Sequence, residues 1–149
     1  MNKAAEVAMA RSAFLDNHEM FLPMARIDTP DEMIIAMIDI DGFEKWGIIA
    51  DLAKAHHATK VVFVADTWMR RIDSTPEARA EWERSNKRVR DYNDKYEALV
   101  VTMIDAESIE VVLLPYVRAA GGIMWDPEET PPDARIVSEG ANLVQAALR

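Results

Sequence analysis

The stretch Lys60–Arg70, KVVFVADTWMR, decides the reading of this chain. Strand alternation puts Val61, Phe63, Ala65, Thr67 and Met69 on one side. Val62, Val64, Asp66, Trp68 and Arg70 fall on the other. Both sides begin apolar, which predicts a central strand covered on both faces over its first half. The second half turns polar and predicts the rim of a sheet. Asp66 is the acid inside this run, and a buried carboxylate needs a hydrogen-bond or charge partner. Arg70 and Arg118 are the candidates for that partner.

Downstream, Ala98–Met103 and Ile109–Tyr116 are rich in β-branched and apolar residues and flank the polar link Asp105-Ala106-Glu107-Ser108. That pattern predicts an antiparallel hairpin, with Pro115 at a strand end or on an edge. Gly121-Gly122 ends the element. Trp125–Asp133 reads as an irregular surface segment, and Glu139–Leu148 as a last short helix. Between the central strand and the hairpin, Ser74-Thr75-Pro76-Glu77 is a helix-start signal. An exposed helix is expected from Pro76 to Tyr92, within a segment, 74–96, that projects from the domain. Residues 71–97 hold seven basic and seven acidic side chains, a balance typical of a salt-bridged solvent face.

Upstream, an Ala-rich helix is expected over 3–17, with Ala4, Val7, Ala8, Arg11, Phe14 and Leu15 at helical spacing. Met20–Arg26 contains Pro23 and reads as an edge strand or extended segment. After the turn Asp28-Thr29-Pro30-Asp31, Glu32–Ile40 reads as a buried strand, and the two segments suit a hairpin. Asp41 is placed to cap a helix running from Phe43 to His57.

These elements make a single α+β domain over 1–149, with a mainly antiparallel sheet of four or five strands packed with helices. Their order resembles a profilin-like or roadblock-like layout, a likeness of element order that carries no function with it.

The formal charge of −9, from 17 basic and 26 acidic side chains, disfavours nonspecific nucleic-acid or anionic-membrane binding. No apolar run approaches the ~20 residues of a membrane-spanning helix. Cysteine is absent, which removes disulfides, thiol nucleophiles and Cys-ligated metals, and fits a cytoplasmic home.

Chemistry-bearing motifs are sparse. Asp39, Asp41, Asp66 and Asp105 lie at predicted strand ends, where carboxylates can converge on a divalent cation. Local capping and turn roles account for most of them. His56-His57 sits at a helix end, with neighbouring positions about 100° apart on the helix, so one metal does not suit both rings. No phosphate-binding glycine loop and no nucleophile-elbow serine occurs, and no cofactor is expected. Trp82, Arg88 and Tyr92 on the charged segment, with Trp68 and Arg70 at the rim, are the candidate interaction residues.

The expected function is therefore that of a non-enzymatic interaction or accessory protein, homodimeric or bound to another protein. One alternative is a small metal-dependent hydrolase using Asp39, Asp66, Asp105 and His56. Another is a regulatory domain holding a small molecule near Trp68.

Overall fold

Lys60–Met69 is a ten-residue strand at the heart of the computed structural model. The structure describes residues 2–40, 42–130 and 135–149, with the side chains of 135–138 left aside. In chain order the elements are α1 (Lys3–Asp16), β1 (Met24–Asp28), β2 (Met33–Met37), α2 (Glu44–Ala55), β3 (Lys60–Met69), α3 (Pro76–Arg84), a one-turn 3-10 helix (Val89–Asp91), β4 (Tyr96–Asp105), β5 (Ile109–Ala119), β6 (Gly122–Trp125) and α4 (Arg135–Ala147). Among the described residues the strands form one antiparallel sheet in the order β2-β1-β3-β4-β5-β6.

Alternation along β3 builds two cores. Val61 and Phe63 join Ala25, Ile27 and Ile104 under α2 and α4. Val62 and Val64 join Met24, Leu99, Val101, Met103, Val112, Leu114 and Tyr116 under α1. Each β3 face is thus apolar because each meets its own helical layer.

Several expectations change. The sheet has six strands rather than four or five, because the chain does not leave it at Gly121-Gly122. Gly122, at φ +124°, lets a tight turn fold β6 back onto β5, pairing Ala119 with Gly122. The edge and interior roles of the first two strands are exchanged. β1 is nearly all buried between β2 and β3, whereas β2 is the edge. Pro23 precedes β1 and still accepts a bond from the Ile38 amide at 2.7 Å.

β5 runs through Pro115 to Ala119. The Pro115 carbonyl accepts from the Asp126 amide, and pairing resumes only at Glu129–Leu113. The chain bulges where proline has no N–H to offer. This bulge lies in the segment expected to be irregular. α2 begins at Glu44, with Phe43 before it and no side-chain cap; the expected cap, Asp41, lies outside the described residues. Helix α4 starts at Arg135, earlier than the expected Glu139.

The helix expected over 76–92 stops at Arg84. Ser85 Oγ bonds the Tyr92 hydroxyl at 2.7 Å and accepts the Lys87 amide at 3.1 Å, and these bonds turn the chain.

Candidate functional site

The expected metal ligands do not converge. β3 and β4 pair Lys60 with Asp105 and Asp66 with Leu99. Asp66 and Asp105 are therefore six residues apart along the ladder, roughly 20 Å at strand rise. Asp105 Oδ1 accepts from the Glu107 amide (2.9 Å), the Ser108 amide (2.7 Å) and the Ser108 hydroxyl (3.0 Å). The two amides are the main reason its carboxyl is held below the ordinary range. Asp39 is exposed in the segment after β2, and His56 is exposed at the end of α2. His57, at φ 53°, turns the chain out of the helix. Among the described residues no three His, Asp or Glu side chains are grouped to hold a metal ion.

Of the interaction candidates, Trp82, Tyr92 and Arg70 come together. The Trp82 and Tyr92 rings lie 5.8 Å apart, and the Arg70 guanidinium sits 3.9 Å from the Tyr92 ring centroid. Arg70 Nε bonds Asp94 at 2.8 Å. The aromatics thus pack within their own segment, at its neck. Trp68 is 43% exposed and carries the Lys95 ammonium 5.2 Å from its ring centroid. Arg88 is exposed, and its backbone amide donates to Asp91.

Of the two expected partners of Asp66, Arg118 lies 3.8 Å from it and Arg70 is engaged by Asp94 instead; Tyr116 and Glu97 were missed by sequence reasoning. The Tyr116 hydroxyl lies 2.6 Å from Asp66 Oδ1 and 2.5 Å from Glu97 Oε2. Arg118 Nε donates to Glu97 at 3.0 Å, and Arg118 Nη2 donates to the His18 carbonyl at 3.0 Å. Burial raises the Asp66 carboxyl above its ordinary range; the Tyr116 bond opposes this and the Glu97 charge adds to it. Burial and the two carboxylates together push the Tyr116 phenol far up. The pairing of Glu97 with Tyr116 across β4 and β5 was available from the hairpin register. It was hidden because β4 begins two residues before the expected strand.

A second buried polar group ties α1 to the sheet. Arg26 reaches Glu6 at 2.6 Å and Asp28 at 2.9 Å, and Lys60 reaches Glu6 at 2.9 Å. Burial would raise Glu6, but its bonds from Arg26 and Lys60 outweigh it and hold the carboxyl low.

β2 carries a row of three exposed apolar side chains. Met33, Ile35 and Met37 are 61%, 51% and 52% exposed on the sheet face that also carries Arg26. Ile34 and Ala36 face the opposite core. The strand, MIIAM, has no charge and no proline. Natural edge strands are usually guarded by such residues, by bulges or by a covering element.

No protein-family model, curated protein or solved structure matches this chain.

Proposed function

We propose that this chain is a non-enzymatic interaction protein that pairs with a second copy of itself along β2. The observation that carries the reading is the row Met33, Ile35 and Met37, exposed on an uncharged edge strand. Edge strands present unpaired N–H and C=O groups. Two copies of β2, antiparallel across a two-fold axis, satisfy them mutually, and such an interface closes at a dimer. Centring the axis on Ile35 sets Met33 against Met37 of the partner subunit. The three exposed side chains then form one apolar strip across the junction, the kind of cross-strand contact that stabilises a sheet. A strand of five residues is short for a whole interface, so side-chain burial beside it contributes the rest.

Sedimentation velocity and native mass spectrometry across the micromolar range test this reading. The wild type is expected to be a dimer, and Ile35→Lys a monomer with unchanged far-ultraviolet circular dichroism. A concentration-independent wild-type monomer would overturn it.

A further inference from the structure

The hydroxyl of Tyr116 makes two short contacts with carboxylate oxygens, 2.6 Å to Asp66 and 2.5 Å to Glu97. A phenol carries a single hydrogen, and an ionised carboxylate is an acceptor only. That hydrogen serves one of the two contacts. The other needs a proton on a carboxyl group. Two ionised carboxylates around one phenol would also repel each other in a partly buried site.

Glu97 is the carboxylate that Arg118 engages. Arg118 reaches it through Nε at 3.0 Å and Nη2 at 3.3 Å. Among the described residues the ion-pair contact of Asp66 is a distant one, 3.8 Å from Arg118 Nη2. The consistent chain of donors is the Asp66 carboxyl to the Tyr116 oxygen, the Tyr116 hydrogen to Glu97, and the Arg118 guanidinium to Glu97. We propose that the folded protein holds one extra proton on Asp66, shared through Tyr116 with Glu97, and that losing it draws Arg118 from His18 toward Asp66. The raised position of the Asp66 carboxyl, caused first by burial, agrees with this assignment.

The step balances simply. One proton passes from the Asp66 carboxyl to solvent, and the site gains one negative charge. Asp66 and Glu97 then compete for a single phenolic hydrogen, and Arg118 is the nearest cation able to offset the new charge. Its Nη2 and Nη1 now hold the His18 carbonyl at 3.0 Å and the His18 ring nitrogen Nδ1 at 3.3 Å. Moving it releases the turn after α1, where His18 and Phe21 pack on Phe14.

Other charged groups surround the cluster. His18 faces Arg118 directly. Arg11 of α1 lies over Trp125, whose ring stacks on Tyr116. Lys95 lies over Trp68, which pairs with Glu97. Arg70 is engaged by Asp94. Because the His18 ring touches Arg118, the test uses His18→Gln as its background.

The test is a carboxyl-carbon NMR titration of the full chain in that background, assigned with Asp66→Asn, together with urea unfolding from the ordinary aspartate value of about 3.9 up to neutral pH. Asp66 is expected to titrate above the ordinary aspartate value of about 3.9, with the Glu97 carboxyl and Arg118 Nε signals moving at the same midpoint. Stability should fall, relative to Asp66→Asn, as pH rises through that midpoint, since a raised folded pKa stabilises only while the proton is held. An Asp66 carboxyl already ionised down to about pH 3.9, stability curves parallel in the two proteins, or an unresponsive Arg118 Nε would each overturn the proposal.

Discussion

Glu6 Oε2 lies 2.6 Å from Arg26 Nη1, and both side chains are only 7% exposed. The pair joins α1 to β1 on the sheet face that also carries Asp66, Glu97 and Tyr116. Asp28 and Lys60 complete it, so each buried charge has a partner. Removing Glu6 takes away the carboxylate that Arg26 and Lys60 share and leaves both cations on Asp28. Glu6→Ala should therefore cost about 1.5–3 kcal/mol, the range for a lost hydrogen bond to a charged group, read as a lower urea midpoint at unchanged slope. The folded Glu6 carboxyl sits below its ordinary value. Its stabilisation is complete above the unfolded value of about 4.3 and fades as pH falls through the lower, folded one. Acid unfolding of the wild type should lose this contribution in that window, and Glu6→Ala should lack it.

Gly140 packs against Trp46, so closely that a Cβ at position 140 would collide with the indole ring. Gly140→Ala should force α4 away from α2 at a cost of about 1–3 kcal/mol, with an altered near-ultraviolet tryptophan signal. Gly47, within α2, is the opposite case: a methyl group there would meet nothing within 4 Å. Gly47→Ala should stabilise by about 0.5–1 kcal/mol. Thermal unfolding of the two variants should move in opposite directions.

Asp105 is a turn residue in this fold, holding two amides and a hydroxyl. Asp105→Ala should cost about 1 kcal/mol, comparable to the loss of a helix cap. Millimolar magnesium or manganese should leave wild-type stability unchanged, because a cation bound only by the folded state would raise it. A metal-induced rise lost in Asp105→Ala would restore the hydrolase alternative.

Arg70, just before the 74–96 segment, holds it by its bond to Asp94 and its contact with Tyr92. Arg70→Ala should loosen that segment alone. Amide exchange should accelerate over 76–95, while the cores flanking β3 keep their protection.

Much of the fold was legible because β3, β4 and β5 are long apolar strands whose two faces both meet a core. Their alternation was visible in Val61–Val64, and the Asp105–Ser108 turn fixed the hairpin register. The exchange of β1 and β2 was not legible, since Pro23 argued for an edge while the apolar run MIIAM argued for burial. Only pairing with β3 decides between them. The buried ion group escaped notice because Glu6 and Arg26 are 20 residues apart and look like surface charges in sequence. Tyr116 escaped because its two carboxylate partners arrive from different strands. The aromatic and basic residues of 68–92 were the obvious interaction candidates, yet Trp82, Tyr92 and Arg70 are largely occupied with one another.

The pairing of β2 with a second copy is the central claim, and a single engineered cysteine tests it most directly. The chain has no cysteine of its own, so any disulfide reports the introduced one. Ile35 lies on the proposed two-fold axis, and Val117 is exposed on a different strand, β5. Under mild oxidation at micromolar concentration, Ile35→Cys should form a covalent dimer rapidly and Val117→Cys should not. Equal, slow cross-linking of the two variants, or none at position 35, would contradict the account.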